Sequence, residues 1–148
     1  MGFNTESTRT KFGDPRDAVK RARGLSNIGI GAAMASQAKA LAPVEYGELR
    51  NSLSASSTSK TVLLNNQAGD KAQALDTSGL KDDEVYVGSN SDHTIFQEYG
   101  TRYMVAQPFI RPAKESVVDG KKASQIIVDY NLKEMKQELK KRKVVRSA

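Results

Sequence analysis

Small and apolar residues recur at three- and four-residue steps in the first third of the chain: Ala18, Ala22, Leu25, Gly29, Ala32/Ala33, Ser36 and Ala40. That spacing predicts an amphipathic helix, with Ser36 the only polar member of its small-residue face. Asp14 can accept from the free amides of the first turn, and Pro15 sits where no amide hydrogen is required. Pro43 stops the helix near Leu41. Within it, Gly29-Ile30-Gly31-Ala32-Ala33-Met34-Ala35 is dense in small residues. Each Gly costs roughly 1 kcal/mol relative to Ala inside a helix, so close approach of another backbone is expected to offset it. A dinucleotide-binding loop is the sharper reading and fails. No strand pattern precedes these glycines, and Met34 holds the third position of G-x-G-x-x-G.

Beyond Pro43 the pattern changes. Val44-Glu45-Tyr46-Gly47 reads as a turn, with Gly47 available for positive φ. Leu49–Ser54 and Lys60–Leu64 are short extended candidates joined by a Ser/Thr-rich link, Ala55–Ser59, and a further strand follows at Glu84–Gly88. Between them the polar stretch Asn65–Asp83 is a long connection of the kind that is functional or disordered. Ser91 or Asp92 can cap a short helix over His93–Tyr99, ended by Gly100 in the left-handed cap position. A second long helix begins between Pro108 and Pro112, is weakened at Gly120 and runs to about Arg142. Along it Val128, Leu132, Met135 and Leu139 follow a four-three-four spacing, a narrow seam suited to packing on another helix. Asp129 with Lys133, and Glu138 with Arg142, are favourable i,i+4 pairs.

The expected fold is therefore α+β: a small antiparallel sheet of three to four strands against two long helices, N- and C-terminal, plus one short helix. The expected organisation is an N-terminal arm over residues 1–13, a single domain over 14–142 containing the 65–83 loop, and a basic tail over 143–148.

Composition sharpens this picture in two places. With 148 residues the chain can bury roughly 70% of its unfolded surface, yet it is only 38% hydrophobic, has no Trp and a mean hydropathy of −0.55. Such lean composition suits a protein whose stability is completed partly by neighbouring subunits, and equally a domain carrying polar loops and frayed ends. The net charge of +6 is concentrated: from Asn131 onward seven basic residues face two acidic ones, so any electrostatic partner belongs to that end. Without cysteine there is neither a disulfide framework nor a thiolate metal site. No apolar run approaches the ~20 residues of a membrane span, and no secretion signal opens the chain. A soluble protein made in the cytoplasm, with no membrane partner, is expected.

Three segments, in order, resemble the tail-completion (head–tail joining, neck) family of lambdoid long-tailed bacteriophages. The first is Ala42-Pro43-Val44-Glu45-Tyr46-Gly47-Glu48-Leu49-Arg50-Asn51-Ser52-Leu53, similar to A-P-V-[acid]-[T/S]-G-x-L-R-x-S-[I/L]. The second is Val85-Tyr86-Val87-Gly88 leading to Ile95-Phe96-Gln97-Glu98-Tyr99-Gly100-Thr101, similar to a V-x-V-G strand followed by a segment ending in E-[F/Y]-G-T. The third is Gln107-Pro108-Phe109-Ile110-Arg111-Pro112-Ala113, which resembles Q-P-F-[L/I]-R-P-A. Tyr46 replaces a small hydroxyl residue of that pattern, and Thr94-Ile95 stands where Tyr-Ala is usual.

The resemblance implies a virion structural protein and no enzyme. It implies a ring-forming subunit that joins the head connector to the tail and lines the DNA channel. Neck or connector proteins would lie on its head side and a tail terminator or tail tube on its tail side, with genomic DNA passing without sequence-specific binding. Identical subunits meeting head-to-tail close into a ring; six copies fit the tail's symmetry and are preferred to twelve, which fit the portal's. The residues singled out as motif and interface candidates are Pro43, Gly47, Leu49, Arg50, Glu98, Tyr99, Gly100, Thr101, Pro108, Phe109, Arg111 and Pro112. Glu98 and Arg111 are opposite charges in separate motif segments and are expected to pair, within or across subunits.

Other classes of function are less well supported. The only histidine, His93, lies in a polar junction with no cysteine and no hydroxyl–acid partner set, so no catalytic residue is assigned. Asp82-Asp83-Glu84 lacks the alternating ligands and central Gly of a calcium loop, so neither metal nor cofactor is expected. The rival reading is a basic nucleic-acid-binding module using Lys140, Lys141, Arg142 and Lys143. That run has no interleaved aromatics for base stacking, and a solvated tail or contact with a neighbouring subunit suits it better.

Overall fold

A computed structural model describes residues 15–43, 47–58, 61–63 and 75–146. The expected N-terminal arm, the Asp14 cap, Glu45, Tyr46 and the first ten residues of the 65–83 loop lie outside the described residues. The elements in chain order are α1 (Pro15–Leu41), α2 (Glu48–Asn51), β1 (Leu53–Ser56), β2 (Thr61–Leu63), β3 (Tyr86–Ser89), α3 (His93–Tyr99), α4 (Ile110–Lys114), a π-helical turn (Glu115–Asp119) and α5 (Lys121–Arg146). The fold is α+β and dominated by helix. Its small antiparallel sheet has two four-residue strands, β1 and β3, with the three-residue β2 on the other side of β1.

Helix α1 is the axis around which the rest is arranged, and its small residues are used on more than one side. Ile28 and Ala35 pack with Ala55 of β1, and Val85 and Val87 join them. Further along, Ala38 and Ala42 meet Leu49, Leu53, Phe109 and Ala113, with Ile110 against that group. The two glycines admit different neighbours. A Cβ at Gly31 would lie 2.5 Å from Val85 and 3.3 Å from Ala55, whereas one at Gly29 would lie 2.5 Å from the Tyr130 ring and 3.2 Å from Ile126 of α5. Side chains, rather than a second backbone, therefore occupy the space these glycines leave.

Because α1 touches the sheet, α4 and α5, the expected single face does not hold. Ser36 and Ala40, placed on it by periodicity, are exposed, while Ser26, Ile28, Ala35 and Ala38 are buried. Small residues lie on several sides of this helix, so their spacing alone does not mark its buried side.

The region after Gly47 also differs from the expected strand over Leu49–Ser54. Gly47 adopts φ +70°, and its carbonyl accepts from the Asn51 amide at 3.0 Å, which closes one helical turn, α2. The strand begins only at Leu53 and continues through Ala55 and Ser56, inside the expected link. β1 pairs antiparallel with β3, Leu53 opposite Ser89 and Ser56 opposite Tyr86. All four β1 residues are buried, so burial on both faces erases the apolar–polar alternation by which sequence marks a strand.

The C-terminal helical region is interrupted where Gly120 sits. Following the π-helical turn, Gly120 is extended at φ −81° and ψ 169°, and a Cβ there would meet the Ser116 carbonyl oxygen at 2.5 Å. α5 then runs to Arg146, past the expected end near Arg142. It rests on α1 through Ile126 and Tyr130, and Arg21 pairs with Glu138 at 3.4 Å. The expected seam is elsewhere: Val128, Leu132, Met135 and Leu139 are all exposed, and among the described residues it packs on no helix. Of the expected i,i+4 pairs, Asp129 with Lys133 is not formed, and Glu138 with Arg142 lies outside the described residues because the Arg142 side chain does. Asp129 accepts from Gln125, and Glu138 binds Lys141 in addition to Arg21.

Candidate functional site

α3 shows the reverse of ordinary helix burial. Its apolar residues Ile95, Phe96 and Tyr99 are exposed, and its one acidic residue, Glu98, is 4% exposed. Neither Ser91 nor Asp92 makes a side-chain cap as expected; instead the Thr94 amide donates to the Ser91 carbonyl at 3.1 Å. At the other end Gly100 has positive φ but extended ψ (77°, 178°), so it is not the left-handed cap anticipated. Its amide donates to the Phe96 carbonyl at 2.8 Å, and a Cβ there would lie 2.8 Å from the Ala106 amide nitrogen. Only glycine fits both that conformation and that space.

The chain then folds tightly back. Thr101 and Met104 exchange backbone hydrogen bonds of 2.9 and 3.4 Å, and the Gln107 amide donates to the Gln97 carbonyl at 2.7 Å. This return brings residues 109–111 up to α3. There the Glu98 carboxylate accepts from the backbone amides of Phe109 (2.9 Å), Ile110 (3.0 Å) and Arg111 (3.1 Å). These are free donors at the start of α4, which has no side-chain cap of its own. A carboxylate placed there also meets the positive end of the helix dipole. Arg111 completes the arrangement: Nε reaches the carboxylate at 3.3 Å, a terminal guanidinium nitrogen reaches the Glu98 carbonyl at 3.3 Å, and the guanidinium lies 5.2 Å from the centre of the Tyr99 ring.

The electrostatics of Glu98 follow from competing influences. Burial, the largest, pushes its pKa up; the amides of Ile110, Phe109 and Arg111 and the Arg111 side chain together outweigh it and hold the carboxyl below the usual range. The group is thus ionised at neutral pH with its oxygens engaged. Such a carboxylate ties segments together and is poorly suited to giving or taking a proton.

The tie brings together most of the residues singled out from the sequence. Glu98, Tyr99, Gly100, Thr101, Phe109 and Arg111 form the junction itself, and the expected Glu98–Arg111 pair is present within the subunit. Phe109 is fully buried and belongs to the same core cluster as Leu49, which links the first motif segment to the third. Pro108 is exposed and Pro112 half-buried, framing the first turn of α4. Pro43 follows α1, half-buried, and Gly47 supplies the positive-φ turn. Arg50 is half-buried, with its Nε buried and without a hydrogen-bond partner among the described residues. Lys140 and Lys141 are exposed on α5, far along the chain from the junction, with Lys141 paired to Glu138 at 3.2 Å. The side chains of Arg142 and Lys143 lie outside the described residues.

Some features had no sequence signal. The use of Glu98 as a cap eleven residues ahead of the helix it serves depends on the intervening chain folding back, which no short-range pattern encodes. Nor does the sequence mark the serine cluster, in which Ser52 Oγ bonds the Leu49 carbonyl at 2.8 Å and the Ser89 hydroxyl, and Ser89 Oγ accepts from the Ser91 amide at 3.0 Å. An open hollow of about 380 Å³ beside α1 and β3 is lined by Asn27, Ile30, Met34, Val85 and Val87 among others, and its only titratable side chain is Tyr86. His93 is exposed, and Asp83 is occupied at the surface by Arg23 (3.8 Å) and Asn27 (2.6 Å to its carbonyl). Among the described residues no three His, Asp or Glu side chains are grouped to hold a metal ion.

The loop that returns to Gln107 presents its side chains outward: Tyr103 is 91% exposed, with Arg102 at 5.9 Å from its ring, and Val105 is 84% exposed. Comparison with protein-family models, with curated proteins and with solved structures finds no match to this chain.

Proposed function

We infer that this chain is a structural subunit of a long-tailed bacteriophage, a ring-forming tail-completion protein at the joint between head and tail. The reading rests on the resemblance of three sequence segments. The observation that carries it further is their convergence: Glu98 of the second segment holds the backbone of the third, and Phe109 of the third shares a buried cluster with Ala42, Leu49 and Leu53 of the first. Segments that resemble one family and build one junction are better explained together than apart. The junction engages its own carboxylate and displays Ile95, Phe96, Tyr99, Tyr103 and Val105 around it, a surface suited to contact with another protein rather than to catalysis. In this reading subunits meet head-to-tail in a ring of six, with connector proteins on one side, the tail on the other and DNA passing through. A virus lacking this polypeptide should accumulate filled heads and free tails that do not join. Joined, fully infectious particles would overturn the reading.

A second reading, a basic nucleic-acid-binding module, is favoured by the exposure of Lys133, Lys136, Lys140 and Lys141 on α5. It requires affinity for duplex DNA that falls steeply with salt, by a slope of about 0.9 per phosphate contact. A slope near zero excludes it.

A further inference from the structure

α5 carries two rows of side chains. One, Ile126 and Tyr130, lies against α1, with Glu138 at its edge bound to Arg21. The other, Val128, Leu132, Met135 and Leu139, is exposed by 48 to 61%. At 3.6 residues per turn the two rows lie roughly 150° apart, so the exposed seam points almost directly away from the body of the domain. Four large apolar side chains at four-three-four spacing over about 17 Å of helix make the surface of one strand of a coiled coil, with no partner among the described residues.

We propose that the partner is α5 of a second copy, packed antiparallel about a two-fold axis that passes between Leu132 and Met135. The charges along the seam select both the occupant and its direction. One rim carries Asp129 and, two turns later, Lys136, both exposed. In the antiparallel register that layers Val128 on the partner's Leu139 and Leu132 on the partner's Met135, Asp129 faces the partner's Lys136 and Lys136 faces the partner's Asp129. Each rim thus complements its own copy twice, as a two-fold contact requires. On the other rim Asn131 comes opposite the partner's Glu138, whose carboxylate is already bound to Arg21 and Lys141, so this rim adds no charge pair across the contact. A parallel pair would set the basic positions 140–143 of both chains side by side; the antiparallel pair holds them at opposite ends and opposes the helix dipoles. α1 lies on the far side of α5, so the pair stacks four helices in the order α1, α5, α5′, α1′. This contact is isologous and does not depend on the head-to-tail ring inferred above.

The seam is shorter than a self-sufficient coiled coil, so association should vary with protein concentration and be read by sedimentation velocity of the full chain. The decisive measurement is charge exchange. Asp129→Lys alone, or Lys136→Asp alone, should weaken self-association at least about tenfold, because each turns two attractive pairs into repulsive ones. Mixing the two variants should restore pairing as a heterodimer, as should both changes in one chain. Direction is read by disulfide formation in a chain that otherwise has no cysteine: Val128→Cys mixed with Leu139→Cys should cross-link to each other. Homotypic Val128→Cys links would mean a parallel pair and overturn the proposal, as would a monomer at all concentrations or charge variants that do not rescue one another. Circular dichroism of each variant separates lost pairing from lost folding. Subunits that form rings yet fail these tests would leave the ring reading standing and this one refuted.

Discussion

At the junction of α3 and α4 a buried carboxylate meets three backbone amides and an arginine, and a phenylalanine beside it is wholly enclosed. Along α5 Val128, Leu132, Met135 and Leu139 stand half in water, and its ion pairs, Arg21–Glu138 and Lys141–Glu138, lie at the surface. The contrast is between a region that completes its interactions within one chain and a region that leaves them open. Burial decides which bonds matter: a hydrogen bond to a charge inside the protein cannot be replaced by water, while an exposed ion pair exchanges one solvated state for another. Changes at the junction should therefore be costly in the isolated subunit, and changes along α5 should be felt mainly in assembly.

The largest expected effect tests the closed region. Phe109→Ala removes a fully buried ring shared by α1, α2 and α4 and should cost about 3–5 kcal/mol in urea denaturation. A loss below about 1 kcal/mol would mean the core does not depend on this anchor.

Glu98→Gln comes next and has a pH signature. Because the native carboxyl is held below its ordinary range, its stabilisation is fully present above the unfolded value of about 4.3 and is lost as pH falls through the lower folded value. The variant should lose about 2 kcal/mol at neutral pH, and its deficit against the native chain should shrink on acidification toward pH ~3. A deficit that is constant with pH would show that the charge of Glu98 is not what holds α4.

The glycines of α1 sharpen the comparison at smaller scale. Gly24 has open space around its Cβ position, so Gly24→Ala should stabilise by about 0.5–1 kcal/mol through helix propensity. Gly29→Ala meets the Tyr130 ring and should instead cost about 1 kcal/mol, through displacement of α5. Thermal melts of the two variants should move in opposite directions. The smallest effect belongs to Arg111→Gln. Its side chain is 59% exposed, so despite its two contacts to Glu98 the loss should stay under about 1 kcal/mol.

Several features of this molecule were legible in the residues alone. The two long helices, the break at Gly120, the strand near Val87 and the short helix before Gly100 each follow from local rules: periodicity, proline at a helix start, glycine at a reversal. The Glu98–Arg111 pair was visible as opposite charges in separate motif segments. The strand that reaches Ser56 was not, because Ser54 and Ser56 are as buried as Leu53 and Ala55, and no alternation survives burial on both faces.

What the sequence determined by itself is the identity and rough extent of elements whose signals lie within a few residues, together with the uneven charge that ends in α5. Which side of each helix faces inward was settled only by tertiary structure. Periodicity marks a row but not its neighbour: Ala40 and Ser36 point to water, and the best-patterned row on α5 is the one that α1 does not cover. The Glu98 cap required the chain to fold back through Gly100, and a contact across eleven residues has no local signature. Short-range sterics write elements into sequence; the placement of those elements is decided by which surfaces fit, and that is a property of the whole chain.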